Sequence, residues 1–471
     1  MKIDGWFEKK RYKHFDSPVD KKTAFSIVSD PKKVIKHSFF PFISFDVKSI
    51  KYQYDEKLGK KKPTLKKRPI CYCSHMDSHI YSYYGIELIG KYEDLLKEKR
   101  LEHNVLAFRK IIKYYDKEKN KEIGKCNIDY AFEAFEEIQK YKEPVVIALD
   151  FTKFFDTLDH TILKKQWSQL LNTKKLPEDH YKIFKSLTNF TKVKKNDLEN
   201  IFCREKNFKS NRICTSKEFR DIVRKKDLIK PNDNKNELNE MVGIPQGSPL
   251  SGLLSNIYMI DFDIKMKTFI EKLHGKYYRY CDDMLIIIPH HNLIKKILNY
   301  AQNSIKALKV KINNKKTEIR IFNRNKKLIK IKSRLIKNKK SSIKTKTIFD
   351  KQSKLYLENA QVLQYLGFVF DGNNSFIRSS SISRYHDKMR RGIRRAKAHM
   401  HKRNKERKKD KIKSKELYKK NIYELYSYQG NRNFITYCHR AKKNMNNSKT
   451  IKKQIKRFNN ILYRRLNKWV S

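Results

Sequence analysis

The stretch that decides the fold lies at residues 277–288 and reads YYRYCDDMLIII. Aromatic and β-branched residues on both sides of a polar pair predict two strands joined by a tight turn, with Asp282 and Asp283 at its tip. An Asp-Asp pair at such a turn is usually only a polar turn. It points to chemistry only where further acidic side chains converge on it.

A second acidic strand end lies upstream. Residues 144–151 read PVVIALDF, and this short apolar run, after a helical pattern over 131–141, predicts a buried strand that ends at Asp150. If the two strands are neighbours, Asp150 and Asp282 converge. A few carboxylates beside phosphate oxygens and water suit Mg²⁺, and nucleotide polymerisation uses two such ions.

A third block lies between these strands. Residues 243–251 read GIPQGSPLS and precede a predicted helix that extends to residue 273. Two glycines and two prolines make a rigid turn against which a flat base pair can lie closely. An ordinary helix entry does not account for Gln246 and two glycines between two acidic strand ends.

The three blocks together resemble motifs of reverse transcriptases. Residues 150–156 (DFTKFFD) resemble motif A, 245–251 (PQGSPLS) motif B, and 280–283 (YCDD) the Tyr-x-Asp-Asp box of motif C. The resemblance implies an α+β right-hand polymerase with fingers, a palm of antiparallel sheet plus helices, and a helical thumb. It implies an RNA-directed DNA polymerase that uses dNTPs and releases cDNA.

The resemblance also assigns the metal ligands. Asp150 and Asp282 would be the principal catalytic ligands, Asp283 a weaker third, and the backbone carbonyl of Phe151 would complete a site. Two Mg²⁺ ions are implied, with Mn²⁺ as an alternative.

Further residues are assigned to the nucleotide. Phe155 matches the ring that excludes a ribose 2′-hydroxyl, although core packing beside Phe154 is its alternative role. Gln246 resembles the glutamine near the incoming nucleotide and the templating base.

Three weaker blocks complete the site. Residues 66–70 (KKRPI) resemble the fingers element that reaches the triphosphate, with Arg68 as first choice and Lys66 as second, against a solvated basic strand. Residues 308–317 (LKVKINNKKT) resemble motif D, and Lys316 would donate a proton to pyrophosphate. Tyr365, Leu366 and Gly367 resemble the primer grip of motif E.

The charge of the chain indicates its partner. Its 471 residues contain 110 Lys and Arg against 50 Asp and Glu, a net charge of +60, for which nucleic acid is the expected counterpart. An AT-rich genome would inflate lysine, but it does not explain arginines in the same stretches. Hydrophobic residues at 39% exclude a disordered basic tail.

The expected domains follow the motifs and the charge runs. We predict an N-terminal extension (1–64), fingers (65–143), a palm (144–375) and a helical thumb with a C-terminal RNA-binding region (376–471). The palm would contain a basic insertion near 173–240 and a basic arm near 320–346. Scattered cysteines without a C-x-x-C pair, an unexceptional N-terminus and no run of 18 apolar residues favour a cytoplasmic protein without a membrane partner.

Finer resemblance points to one group of enzymes. Residues 68–84, 104–109 (NVLAFR) and 430–437 (GNRNFITY) look like the stand-alone defence-associated reverse transcriptases of bacteria, from the unknown groups related to retron and group II intron enzymes. Cys281 departs from the alanine usual in those two relatives. The group implies an anti-phage role and a small noncoding RNA that serves as template or scaffold.

Two other functions stay open at this point. One is a template-independent or protein-primed DNA polymerase, and the other is a noncatalytic, maturase-like RNA-binding protein. The intact aspartates and Phe155 argue against the second. Homo-oligomerisation stays open as well.

Overall fold

The computed structural model describes residues 5–55, 58–118, 120–202, 211–314, 316–324, 331–338, 355–358, 362–409 and 416–467. Its helices are α1 Lys21–Val28, α2 Pro31–Lys36, α3 His75–Glu98, α4 Asn127–Lys140, α5 His160–Leu170, α6 Glu178–Thr188, α7 Lys195–Phe202, α8 Ser216–Glu218, α9 Ser251–Tyr258, α10 Ile260–Glu271, α11 Ile294–Lys306, α12 Ser379–Lys409, α13 Lys420–Tyr426, α14 Phe434–Asn444, α15 Lys449–Ile455 and α16 Phe458–Asn467. Short 3₁₀-helices span Phe154–Asp156 and His291–Leu293, and a π-helical turn spans Phe219–Arg224.

The strands are β1 Phe42–Asp55, β2 Lys60–Tyr72, β3 Ile112–Asp116, β4 Lys121–Gly124, β5 Val145–Asp150, β6 Thr191–Lys194, β7 Lys230–Pro231, β8 Lys276–Tyr280, β9 Asp283–Ile288, β10 Glu318–Arg324, β11 Ile331–Asn338, β12 Leu355–Glu358, β13 Leu363–Tyr365, β14 Phe368–Phe370 and β15 Ser375–Ile377. The sheet that contains both acidic strand ends has the order β12-β11-β10-β5-β9-β8. Its β5, β10, β11 and β12 pair antiparallel in succession.

Two compact units divide the described residues. The first comprises Met1–Arg109, Leu149–Leu285 and Lys296–Thr317, and the second comprises Lys110–Ala148, Ile286–Lys295 and Glu318–Ser471.

The first unit contains a sheet with the order β2-β1-β6-β7. Strands β1 and β2 pair antiparallel from Ile43 opposite Tyr72 to Asp55 opposite Lys60, and β6 pairs parallel with β1. A buried cluster beside this sheet joins Phe15, Ile43, Val193, Leu198, Cys214, Phe219 and Val223. The N-terminal residues and the region near 173–240 therefore share one core. Strand β2 extends across residue 64, where the sequence predicts the end of the N-terminal extension.

Helix α3 carries four tyrosines, Tyr81, Tyr83, Tyr84 and Tyr92. Ser74 caps its start by accepting a hydrogen bond from the amide of Asp77, as serine commonly does before a first turn. Trp6, buried to 3% exposure, packs edge-on against His79 and Tyr83 of this helix. The first unit thus includes the described part of the N-terminus in its packing.

The predicted helix over 249–273 forms, but as two segments. Helix α9 ends at Tyr258 and α10 begins at Ile260, with Met259 between them. Their buried residues include Leu254, Ile257 and Phe262. This pair of helices follows the glycine-rich block directly in the chain.

The second unit contains the sheet β13-β14-β15, in which neighbours pair antiparallel. Phe370 of β14 stacks on Phe135 of α4, with ring centroids 4.6 Å apart. Helix α12 has 31 residues and buries Tyr385, Met389 and Ile393 along one stripe, which leaves its many basic residues outside the core. Part of the predicted basic arm near 320–346 lies outside the described residues, namely 325–330 and 339–346.

Within the described residues, no helix is long and apolar enough to cross a membrane.

Candidate active site

Asp150 lies where β5 ends, next to strand β9 in the sheet order. It is 8% exposed, and its carboxylate forms an ion pair with the ammonium group of Lys316. The amide of Asn313 donates a 2.7 Å hydrogen bond to the backbone carbonyl of Asp150. The segment that resembles motif D therefore lies beside the end of β5, and its Lys316 contacts Asp150, the first predicted metal ligand.

Phe151 continues this contact. It forms an antiparallel bridge with Ile312, while the amide of Thr152 donates to the carbonyl of Lys311 at 2.9 Å. In such a non-hydrogen-bonded pair, the carbonyl of Phe151 points away from the opposing chain. That orientation suits the predicted role of this carbonyl as an additional metal ligand.

The turn that carries Asp282 is tight, and a buried ion pair stabilises it. Cys281 has a φ of 59°, in the left-handed region, so β8 reverses into β9 within two residues. The guanidinium of Arg279, fully buried, donates to the Cys281 carbonyl at 3.2 Å and forms a two-bond ion pair with Asp263. This pair fixes the backbone on which Asp282 stands.

The Cys281 thiol lies against this aspartate. Burial raises the pKa of Cys281 well above its usual range, and the Asp282 carboxylate raises it further. The thiol therefore stays neutral and adds no charge beside the carboxylates. Asp283 opens β9 and is exposed.

The two phenylalanines of the proposed motif A divide their roles. Lys153, with a φ of 48°, turns the chain into the 3₁₀-helix that begins at Phe154. Phe154 is buried to 3% exposure and packs on Phe151, with ring centroids 5.2 Å apart. Phe155 is only partly buried and lines a cleft. Both residues line the cleft, and the ring assigned to the sugar is the more exposed of the two.

The glycine-rich block fits closely against its neighbours. Gly243 has a φ of 86°, and a Cβ there would lie 2.8 Å from the carbonyl oxygen of Asp156. Gly247 has a φ of 117°, and a Cβ there would overlap the carbonyl oxygen of Cys71. Both positions require glycine for conformation and for space. The block is therefore fixed between the proposed motif A and the end of β2.

The cleft has a volume of about 1250 Å³ and belongs to the first unit. Arg68 and Lys66, both exposed on β2, line it together with Gln246, Phe155, Asp282 and Lys316. Among the described lining residues, cations outnumber acids. A cleft of this charge attracts a phosphate chain.

The cleft also includes residues that the motifs did not single out. The described N-terminal residues contribute Trp6 and Lys10, and the region near 173–240 contributes Lys192 and Asp233, which pair at 2.5 Å. Phe108 lines the cleft as well. Phe108 belongs to the sequence block 104–109, but no pattern in that block predicts a role for it at the cleft.

Burial shifts the pKa of Asp156, which lines the cleft, and of Cys71 at the end of β2. Burial raises the pKa of Asp156, although Lys153 and Lys192 oppose the shift. Burial also raises the pKa of the Cys71 thiol to about 11, with Lys192 acting in the opposite direction. The Cys71 side chain is buried and packs in the interior.

The donor set determines which metal the site can hold. No three His, Cys, Asp or Glu side chains in the described part of the chain form a metal cluster. Mg²⁺ is typically bound by one or two carboxylates, substrate phosphates and water. Asp150, Asp282 and the Phe151 carbonyl fit that requirement.

The predicted primer grip lies in the second unit. Tyr365 ends β13, Leu366 has a φ of 45° and Gly367 a φ of 92°, and β14 follows at Phe368. The side-chain amide of Asn127 donates a 2.9 Å hydrogen bond to the Leu366 carbonyl. Leu366 and Gly367 therefore form a tight turn between β13 and β14.

The family model described as "Reverse transcriptase (RNA-dependent DNA polymerase)" matches residues 60–370. No curated protein matches the chain.

Solved structures with some similarity include telomerases from two yeasts. Apo telomerase from Candida tropicalis, truncated from the C-terminal domain, aligns with a TM-score of 0.36 and 12% identity over 77% of this chain and 61% of that one. Telomerase from Candida albicans, in complex with a TWJ fragment of telomeric RNA, aligns with a TM-score of 0.34 and 11% identity over 79% of this chain and 54% of that one. The chain thus spans 54–61% of the length of these two structures.

Proposed function

This chain belongs to the family of reverse transcriptases, the RNA-dependent DNA polymerases, and from that premise we propose that it copies a structured noncoding RNA into cDNA by two-metal catalysis. The predicted α+β right-hand polymerase fold and the predicted enzyme class are confirmed by family membership. One observation carries the proposal: β5 ends at Asp150 and neighbouring β9 begins at Asp283, beside a cation-lined cleft.

The acidic strand ends supply the metal chemistry. Asp150, Asp282 and the carbonyl of Phe151 would hold two divalent ions, with Asp283 as a weaker or indirect third carboxylate. Bound Mg²⁺ would activate the primer 3′-hydroxyl and stabilise the leaving pyrophosphate. The buried Arg279 guanidinium holds the turn through the Cys281 carbonyl.

Lys316 acts beside Asp150. Its ammonium group already pairs with that carboxylate, so it lies close to the predicted metal site. In the proposed role it holds a proton for the departing pyrophosphate, as a general acid. Because it is half exposed, it can also turn toward a phosphate in the cleft.

The nucleotide would be held from two sides. Arg68 and Lys66 on β2 bind its phosphates, and a planar guanidinium can contact two phosphate oxygens at once. Gln246 and the tightly packed glycines provide a flat surface for the base pair. Phe155 faces the cleft, where its ring selects against a 2′-hydroxyl and so favours dNTPs.

The RNA partner is proposed from charge. The net charge of +60 and the basic helix α12 suit an RNA held through its phosphates. The blocks at 68–84, 104–109 and 430–437 support a stand-alone bacterial enzyme that acts against phage in the cytoplasm.

The test is purification of the protein from its own locus with bound nucleic acid. The RNA is sequenced, and Mg²⁺ and labelled dNTPs are added. Labelled DNA complementary to one copurified RNA supports the proposal. Bound RNA without DNA under any nucleotide mixture would instead support a noncatalytic role.

The defence role has a separate test. Cells that carry the locus are challenged with a panel of phages, and plaque counts are compared with those for the Asp282→Asn, Asp283→Asn variant. Protection that is lost in the variant supports a defence that depends on synthesis. Equal plaque counts with and without the wild-type locus would remove this part of the proposal.

A further inference from the structure

Phe108 has an unusual conformation for a large aromatic residue. Its φ is 60°, in the left-handed region, and its side chain is 49% exposed. A bulky residue there is a genuine outlier, and such strain persists only where the surroundings enforce it. The side chain on this strained backbone lines the cleft of the candidate active site.

Arg109 holds the chain immediately after Phe108. Its guanidinium donates to the carbonyls of Glu102 and Val105 at 2.7 and 2.9 Å, and it forms an ion pair with Glu93 of α3. The Arg109 side chain is 3% exposed. These bonds fold residues 102–109 back on themselves and fix the backbone direction at Phe108.

Neighbouring elements hold the same loop from outside. The side-chain amide of Asn256 on α9 donates to the Ala107 carbonyl at 2.8 Å. The amide of Leu106 donates to the carbonyl of Arg279 on β8 at 2.9 Å. The loop is thus tied to the helix of the proposed motif B and to the strand that leads to Asp282.

The position of the ring follows from these bonds. It lies on Gly252 of α9, where a Cβ would come within 2.7 Å of two of its carbon atoms. It stands edge-on to Phe155, with ring centroids 6.4 Å apart and an interplanar angle of 80°. Phe154, which precedes Phe155 in the chain, also contacts the Phe155 ring, with ring centroids 5.7 Å apart.

We propose that Phe108 is a positioning residue that holds the Phe155 ring in the orientation that discriminates between sugars. Phe154 is fixed in the core, and Phe108 limits the remaining freedom of the Phe155 ring toward the cleft. Gly252 allows this because its missing side chain leaves room for the Phe108 ring. The inference rests on the proposed role of Phe155 as the sugar gate.

The test is a double-mutant cycle on sugar discrimination, measured as the ratio of kcat/KM for a dNTP to that for the matching rNTP. The variants are Phe108→Ala, Phe155→Ala and the double variant. An edge-on aromatic contact predicts that Phe108→Ala lowers discrimination about threefold to tenfold. This loss should come from better use of rNTPs, with dNTP kcat nearly unchanged. Phe108→Tyr, which keeps the ring, should retain discrimination.

Coupling is the decisive readout. In the Phe155→Ala background, adding Phe108→Ala should change discrimination less than about twofold, because the ring to be positioned is absent. A Phe108 effect of full size in that background overturns the proposal. Phe108→Ala with wild-type discrimination, beside a Phe155→Ala variant that has lost it, also overturns the proposal and leaves the gate intact. Wild-type discrimination in Phe155→Ala removes the gate itself.

Gly252→Ala approaches the same contact from the other side. The added methyl group displaces the Phe108 ring, so discrimination should fall as in Phe108→Ala, and combining the two should cause no further fall. Gly90→Ala on α3 is the control, because nothing lies within 4 Å of its Cβ position. Equal discrimination in the two glycine variants contradicts the proposal. Melting temperatures of all variants establish that they fold.

Discussion

The backbone amide of Cys71 donates a 2.7 Å hydrogen bond to the carbonyl oxygen of Gln246. This bond joins the end of β2, which carries Arg68, to the glycine-rich block. Gly247 follows directly, and its φ of 117° together with the nearby Cys71 carbonyl leaves no space for a side chain. The surfaces proposed for the phosphates and for the base pair are therefore coupled through their backbones.

Gly247→Ala should separate these surfaces. The methyl group forces β2 away and imposes a strained φ, so kcat/KM for dNTPs should fall at least about tenfold and the free energy of unfolding by about 1–3 kcal/mol. Steady-state kinetics and denaturant unfolding measure the two effects. Gly90→Ala on α3 is the control, because nothing lies within 4 Å of its Cβ position. Wild-type kinetics in Gly247→Ala would show that the close fit is not needed.

Lys316→Met should slow the chemical step. If Lys316 is the general acid, its loss should lower the rate of single-nucleotide incorporation about 100-fold with little change in dNTP affinity. Lys316→Arg should restore the pairing with Asp150 but recover little rate, because an arginine hardly releases its proton. Lys311→Met, at an exposed lysine that pairs with Glu237, is the control. A fast Lys316→Met enzyme under rapid-quench conditions contradicts the proton-donor role.

The pair Asp282→Asn, Asp283→Asn removes charge but little volume. We expect folding and RNA affinity close to wild type, and DNA synthesis below detection, because the metal ligands are weakened. Asp221→Asn, which removes a surface acid paired with Lys225, should synthesise normally. Calorimetry, filter binding and primer extension give the three readouts. Synthesis that survives in the double variant would refute the metal assignment.

His14 predicts a pH dependence of stability. It is fully buried among the rings of Phe15, Phe40 and Tyr72, and burial lowers the pKa of His14 from 6.5 to about 4. Between these values the unfolded chain binds a proton that the folded chain does not. The free energy of unfolding should therefore fall as pH drops from 6.5 to 4, by about 3 kcal/mol from this residue.

His14→Phe should remove that contribution. The difference in unfolding free energy between variant and wild type should widen as the solution is acidified through this window. His401→Phe, at an exposed histidine on α12, controls for histidine loss in general. Parallel pH curves for wild type and His14→Phe would contradict the prediction.

Local patterns predicted the elements that hold the acids. The apolar run 144–151 becomes β5, and the stretch 277–288 becomes β8, a turn and β9, because strand and turn signals act within a few residues. The division of the predicted 249–273 helix at Met259 was not predicted, since neither glycine nor proline marks it. The domain boundaries remain predictions.

Tertiary contacts determine the features of the cleft that local sequence patterns do not predict. The left-handed backbone of Phe108 depends on the ion pair of Arg109 with Glu93 of α3 and on the bond from Asn256 of α9 to the Ala107 carbonyl. Lys192 and Trp6 reach the cleft only because their segments pack beside β1 and α3. No local pattern encodes such long-range placement, so the motifs located the chemistry but not the walls of the cleft.

The central claim is that synthesis at Asp150 and Asp282 follows a template. The most direct measurement offers the purified protein a DNA primer on RNA templates that differ in one base after the primer end, with each dNTP added separately. Templated synthesis requires that only the dNTP complementary to that base is added, and that each change of base changes the dNTP used. Addition of the same nucleotide on every template, or labelled nucleotide attached to the protein without RNA, would contradict it and establish template-independent or protein-primed synthesis.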